Sequence, residues 1–410
     1  MTAASVGLVG TLDTKGAEIA YVRDRLRALG CEPFVIDSGI LGEPLGCRPD
    51  FPAATVAAAA GMDLEDIRAA GSRGAAVEMM LAGVRALALR LWDQGLLSGV
   101  LCLGGAEGAA LGAAAMQALP IGVPKLLVSP SASGRRTFAP FVGESDTLVM
   151  HSVVDIIGLN PISRAVFDNA AAAIAGMARD AGRPVAGFGG RSLGITMLGQ
   201  TTPGVMRVHE RVALAGWEPV VFHANGVGGP AMERLVEQGA LGGVIDFTLS
   251  ELANELKDGL HATGPERMRA AGRQGLPQVV VPGCVDFFNQ GARATVSSEY
   301  LARKTYFHNP TATLVRLDAS ELERLGTEVA ARLDDARGPV AVVAPARGFS
   351  LADSEGGALW DPEADAAFVS ALQRRLRSDA VFELVDAAIN DREFADRVAD
   401  RYLELASAPS

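Results

Sequence analysis

The chain has 410 residues, 49% of them hydrophobic, and its 37 lysines and arginines face 48 aspartates and glutamates for a formal charge of −11. That length is too great for one small core and comfortable for two domains, while the acidic balance excludes phosphate-backbone binding as the main task, so no nucleic-acid partner is expected. The apolar residues fall in short runs, none long enough to cross a bilayer, and the start Met1-Thr2-Ala3-Ala4-Ser5 lacks a charged and then apolar leader; the expectation is a soluble, cytoplasmic protein with no membrane partner.

In chain order, the apolar run Val6-Gly7-Leu8-Val9-Gly10 predicts a buried strand. A helical pattern over residues 17–29 and a strand over 33–36 complete a right-handed βαβ unit. Residues 37–92 hold a Gly/Pro-rich loop (39–52) and helical patterns broken near 71–74, with no counterpart later in the chain. Strands at 99–103 and 125–128, a helix after Gly108 and an Ala-rich helix over 165–179 close a first domain, residues 1–182. In the second domain, 183–410, strands are predicted at 193–198, 219–222, 244–247, 279–281, 313–317, 340–343 and 381–384. Helices are predicted there at 203–214, 231–238, 265–274, 320–333, 364–376 and 392–405. This alternation predicts an α/β protein of two Rossmann-like lobes, each a doubly wound, mostly parallel sheet, with a ligand-binding cleft between them.

Three stretches recur in order and support related lobes. Ala28-Leu29-Gly30-Cys31-Glu32-Pro33-Phe34-Val35-Ile36 returns as Leu214-Ala215-Gly216-Trp217-Glu218-Pro219-Val220-Val221-Phe222. Gln94-Gly95-Leu96-Leu97-Ser98-Gly99-Val100 returns as Gln238-Gly239-Ala240-Leu241-Gly242-Gly243-Val244, and Gly122-Val123-Pro124-Lys125-Leu126-Leu127-Val128 as Gly275-Leu276-Pro277-Gln278-Val279-Val280-Val281. A helix end followed by a buried strand is common grammar, but three echoes in register point to a duplicated design. The cysteines Cys31, Cys47, Cys102 and Cys284 show no Cys-x-x-Cys spacing and read as reduced thiols; the five histidines show no zinc-type pairing.

Ligands of open parallel sheets bind beyond the carboxyl ends of the strands, so the loops there are the candidates. In the first lobe these are Gly10-Thr11-Leu12-Asp13-Thr14-Lys15-Gly16, Gly104-Gly105-Ala106-Glu107-Gly108 and Ser129-Pro130-Ser131-Ala132-Ser133-Gly134. Glycines admit a phosphate to backbone amides, hydroxyls donate to it, and Lys15 with Arg135 and Arg136, which follow the third loop, are suited to offset its charge. Neither Gly-x-Gly-x-x-Gly nor a P-loop is present, and tight turns with close strand-to-helix contact explain the same glycines. Glu107 opposes an anion at its own position unless a cation intervenes; Mg²⁺ or a ribose hydroxyl is the alternative partner.

The first loop, together with His151-Ser152-Val153-Val154-Asp155-Ile156-Ile157-Gly158-Leu159-Asn160, Phe222-His223-Ala224-Asn225-Gly226-Val227-Gly228-Gly229 and Ile389-Asn390-Asp391, resembles a known family along nearly the whole chain. That family comprises the N-terminal region of the plant tomato mosaic virus resistance protein and its bacterial homologues, described as ATP-binding. The resemblance implies two Rossmann-like lobes, ATP in the N-terminal lobe and a homodimer. The chain departs from the family pattern at Ala106, Glu107 and Ala109, where Gly-Gly-Ser-Gly-Gly-Thr is expected, and at Pro130, where a threonine is expected. Two hydroxyls and a glycine are lost in the first of these loops, which leaves open a different small anionic or acyl ligand.

In the second lobe Gln200-Thr201-Thr202-Pro203 parallels the first Thr-rich turn, and His223-Ala224-Asn225-Gly226-Val227-Gly228-Gly229 leads into a helix whose amides are suited to an anion. For acid-base chemistry the candidates are His223, Asp286 and His308, because imidazole beside carboxylate is a common proton-transfer pair; a loop or capping role is the alternative for each histidine. The acidic stretch over 347–363 reads as a solvated loop that caps the next helix. The functional expectation is a protein that binds ATP or a related nucleotide, with Mg²⁺ and a small-molecule substrate, and that activates a carboxylate or hydroxylated acceptor by phosphoryl or nucleotidyl transfer. The alternative is a non-catalytic nucleotide-binding regulator.

Overall fold

A computed structural model describes residues 3–132, 139–180 and 190–407. The chain divides into two compact units, Met1–Val185 and Ala186–Ser410.

In the first unit strands β1 (Ser5–Gly10), β2 (Glu32–Asp37), β3 (Gly99–Leu103), β4 (Lys125–Ser129) and β5 (Leu148–His151) form one parallel sheet in the order β2-β1-β3-β4-β5. β3 and β4 are buried at every residue because both sheet faces are covered. Alternation divides their side chains: Val100 and Cys102 meet helices Arg73–Asp93 and Ala106–Ala118 on one face, and Leu101 and Leu103 meet helices Leu12–Ala28 and Pro161–Asp180 on the other. β5 has no counterpart among the sequence expectations; it lies at the sheet edge, with its two end residues exposed and little apolar signal. The segment after β2 forms helices Ala53–Ala59, Leu64–Arg68 and Arg73–Asp93, the break falling at the Gly71 to Ser72 turn.

The second unit holds β6 (Ser192–Met197), β7 (Glu218–His223), β8 (Gly243–Thr248), β9 (Gln278–Gly283), β10 (Phe287–Gln290), β11 (Thr305–Asn309), β12 (Ala312–Arg316), β13 (Val340–Pro345) and β14 (Val381–Val385). Six of these make a parallel sheet ordered β14-β13-β9-β8-β6-β7. Its start repeats the first lobe's order, with β6, β7, β8 and β9 standing where β1, β2, β3 and β4 stand, and the three sequence echoes map onto β2/β7, β3/β8 and β4/β9. The echoed glycines end the preceding helices in the left-handed conformation, Gly30 at φ +80 and Gly216 at φ +83. That conformation is cheap for glycine alone and turns the chain directly into the next strand.

Two expectations for the second lobe need correction. The strand expected at 313–317 is not in the parallel sheet; as β12 it is the middle of a separate antiparallel sheet, β10-β12-β11. The helix expected over 265–274 is confined to Ala270–Arg273, because Met268 is left-handed at φ +71 and the amides of Met268, Arg269 and Ala270 donate to the Glu233 carboxylate instead.

Candidate functional site

In a 2-1-3-4-5 sheet the chain leaves β1 and β3 in opposite directions, and the crevice at their carboxyl ends is the expected ligand position. Gly10-Thr11 follows β1, Gly104-Gly105 follows β3 and Ser129-Pro130-Ser131 follows β4, so three predicted loops share one end of the sheet. The first two lie close together: a Cβ added to Gly108 would lie 3.8 Å from Thr11 Oγ1. The helical turn that opens Leu12–Ala28 follows Thr11 and breaks at the non-helical Lys15, whereas helix Ala106–Ala118 starts after Gly105 without a side-chain cap among the described residues. Space beside Gly105 is open, since a Cβ there would meet nothing within 4 Å among the described residues.

The individual residues divide between ligand-facing and structural roles. The Leu12 side chain is wholly buried and its amide donates to Asp37 Oδ1 at 3.1 Å. Thr11 and Thr14 share a hydrogen bond of 3.1 Å between hydroxyls, Asp13 lies beside Thr14, and Lys15 Nζ stands 3.5 Å from Asp155. The Ile157 amide and Lys15 hold the Asp155 carboxyl below its usual range. Gly104 meets a structural demand as well, because a Cβ there would come within 2.3 Å of Ala109 N. Arg73 pairs with Glu107 at 2.6 Å, supplying the cation that Glu107 needs if an anion is to sit nearby. Ser129 is buried and accepts from the Ser131 amide; Ser133, Gly134, Arg135 and Arg136 lie outside the described residues.

The second lobe has a candidate site of its own, at the strand pair equivalent to β1 and β2. A cavity of about 260 Å³ opens where β6 and β7 end. Leu198, Gly199 and Gln200 follow β6, His223 and Asn225 close β7, and His261 comes from the turn after helix Ser250–Lys257. Phe287 and Asn289 of β10, His308 and Asn309 of β11, and Ala312 and Leu314 of β12 complete the lining. The structure therefore brings His223 and His308 to one cavity and adds His261, whose pKa burial and the nearby His223 lower to about 4.

It does not bring Asp286 to them. Along β10 the residues alternate, so Phe287 and Asn289 face the cavity while the Asp286 carboxyl lies elsewhere, accepting from Ser350 Oγ at 2.9 Å. There it joins Asp353 and Asp365 around one buried guanidinium: Arg316 Nη1 lies 3.0 Å from Asp353, and its Nη2 donates to Asp365. Burial, reinforced by the neighbouring carboxylates, pushes Asp286 and Asp365 up, and burial pushes Asp353 up. Asp353 thus belongs to the interior, whereas Asp361 of the same acidic stretch caps helix Pro362–Arg375 as expected.

The second-lobe glycine loop is already filled. Glu251 Oε1 accepts the Gly226 and Gly229 amides at 3.1 and 3.0 Å, and its Oε2 accepts Arg267 Nε at 2.6 Å. Arg267 also grips Asp246 with both terminal nitrogens at 2.5 and 2.7 Å. The anion that the loop's sequence invites is a side chain of the same lobe. Gln200 opens the polar loop that the sequence marks after the first strand of this lobe, but no sequence signal assigns Gln200, Asn289 or His261 to a shared cavity, since carboxamides have no distinctive spacing.

The geometry defines a protein of two Rossmann-like α/β lobes. Residues 4–183 match the N-terminal domain and residues 191–406 the C-terminal domain of the Uncharacterised protein family (UPF0261), and the chain belongs to that family. A UPF0261 protein of Clostridium tetani is 38% identical over 400 residues, 97% of this chain and 98% of that one. The ToMV resistance protein Tm-1 of Solanum lycopersicum is 36% identical over 340 residues, 82% of this chain but 45% of the tomato protein. Among solved structures, UDP-GlcNAc 2-epimerase of Methanocaldococcus jannaschii aligns over 99% of this chain and 93% of that one at 10% identity and a TM-score of 0.22, a likeness too slight to bear on function. Among the described residues no helix is long and apolar enough to cross a membrane.

Proposed function

We propose that the first lobe binds ATP or a related nucleotide through its phosphates, and that the protein uses it to activate a small carboxylate or hydroxylated acceptor by phosphoryl or nucleotidyl transfer. The observation that carries this reading is that the loops after β1 and β3 share the β1/β3 end of a 2-1-3-4-5 sheet, where helix Ala106–Ala118 starts after Gly105 without a side-chain cap among the described residues. The leading amides and positive dipole end of that helix favour a phosphate, and Lys15, 3.5 Å from Asp155, adds positive charge in the first loop. The Arg73–Glu107 pair removes the repulsion that Glu107 alone would present. Mg²⁺ accompanies nucleotides with few protein ligands, and Asp13 is the oxygen donor in the first loop suited to it.

A second reading, a regulator that binds nucleotide without turnover, is favoured by Ala106 and Glu107, whose side chains offer a phosphate no hydroxyl donor. Native mass spectrometry with and without ATP and Mg²⁺ tests both readings and reports the dimer mass at the same time. One nucleotide per chain supports the proposal, and conversion to ADP or AMP only with an acceptor present selects the enzyme. No adduct at saturating ATP contradicts both.

A further inference from the structure

We infer that the second lobe carries a separate binding site for a neutral, polyhydroxylated molecule of about monosaccharide size, in the cavity where β6 and β7 end beneath the β10-β12-β11 sheet. The inference does not depend on nucleotide binding by the first lobe.

Two buried carboxamides carry it. Gln200 is 6% and Asn289 5% exposed, and each is clamped through its oxygen: Gln200 Oε1 accepts the Ala352 amide at 3.0 Å, and Asn289 Oδ1 accepts Asn254 Nδ2 at 3.2 Å. Asn254 is held in turn, its own Oδ1 accepting the Asn289 amide at 2.8 Å. The clamps fix the orientation of both carboxamides and leave their NH₂ groups without a protein acceptor among the described residues, in side chains that line the cavity. Both NH₂ groups open on the cavity, where a ligand oxygen can take the place of water as their acceptor. His261 adds an imidazole to the cavity wall, and burial with the nearby His223 lowers its pKa to about 4, so the ring is neutral at physiological pH and carries one acceptor nitrogen.

Charge and shape narrow the ligand class. Among the described residues, no Asp, Glu, Lys or Arg lines the cavity. An ionised ligand would lose hydration there without meeting any Asp, Glu, Lys or Arg among the described residues, whereas hydroxyls find both donors and acceptors. Buried Phe287 and Leu314 give ring carbons an apolar floor. This mixture of fixed carboxamides, imidazole and one aromatic face matches an uncharged polyol better than a carboxylate or a phosphate.

Saturation-transfer NMR on the full chain, with D-glucose, D-ribose and myo-inositol against gluconate and glucose 6-phosphate, tests the inference. Neutral polyols should receive saturation and the two anions should not. Asn289→Asp and Gln200→Glu keep the clamping oxygen and remove the donor, and each should weaken the polyol about tenfold. Ala312→Phe, at the half-buried start of β12, fills the cavity without touching either clamp and should abolish the signal while thermal unfolding stays unchanged. Saturation confined to the anions, polyol binding indifferent to Ala312→Phe, or no transfer to any probe overturns the inference. An ATP titration of the same preparation reports on the first lobe separately.

Discussion

Replacing Glu251 by alanine should empty the second lobe's glycine loop of its built-in anion. The carboxylate accepts the Gly226 and Gly229 amides and pairs with Arg267, whose side chain, like that of Glu251, is fully buried. Breaking a buried ion pair from one side costs about 3–5 kcal/mol, and each orphaned amide about 1–3 kcal/mol. These costs share one carboxylate and do not add, so a total of about 3–5 kcal/mol is expected. For a domain of this size that lowers the melting temperature by roughly 6–20 °C. The vacated space keeps two amide donors and a guanidinium, so formate should fit it, and at ten times its Kd it would return about 1.4 kcal/mol. Differential scanning calorimetry of wild type and Glu251→Ala across a formate series is the assay. A loss below about 1 kcal/mol, or an equal formate response in both proteins, would refute the reading of Glu251 as the loop's anion.

Two further outcomes follow from burial. The carboxyls of Asp286, Asp353 and Asp365 are raised, so in the folded chain they hold protons that the unfolded chain has released above about pH 4. Their contribution to stability therefore falls as pH rises from the ordinary carboxylate range through their raised values, and levels off above them. Denaturant unfolding at pH 5, 7 and 9 should show this slope in wild type and a shallower one in Asp365→Asn; an unchanged slope would contradict it. The thiol of Cys102 is pushed up to about 12 by burial, and burial also raises Cys31, Cys47 and Cys284. Ellman's reagent at pH 8 should find all four slow in the native protein and fast in guanidinium, and one thiol reacting at the rate of free cysteine would count against the burial described.

The parallel sheets were legible because strands covered on both faces appear as short apolar runs, as in Gly99–Leu103, and because echoed glycines mark helix ends that must turn left-handed. The inserted antiparallel sheet was not. Strand Thr305–Asn309 is mostly exposed and reads Thr-Tyr-Phe-His-Asn without clean alternation, and Phe287–Gln290 is four residues long and preceded closely by the left-handed Cys284. Helix Ser250–Lys257 was hidden because Ser250 and Glu251 look like polar loop residues after a strand, although both are buried. For the sites, the first-lobe loops follow from strand ends alone. His223 and His308 could be singled out as residues, but their shared cavity, the exclusion of Asp286 and the filling of the glycine loop by Glu251 depend on contacts between distant segments. No local pattern encodes those contacts.

Isothermal titration of ATP with Mg²⁺ into wild type, Thr11→Val and Lys15→Ala tests the nucleotide proposal most directly. The account predicts one saturable site per chain in wild type and at least about tenfold weaker binding in Lys15→Ala, the loss expected for a charge-assisted contact, with a smaller loss in Thr11→Val. No heat in wild type, or binding indifferent to both substitutions, would contradict it.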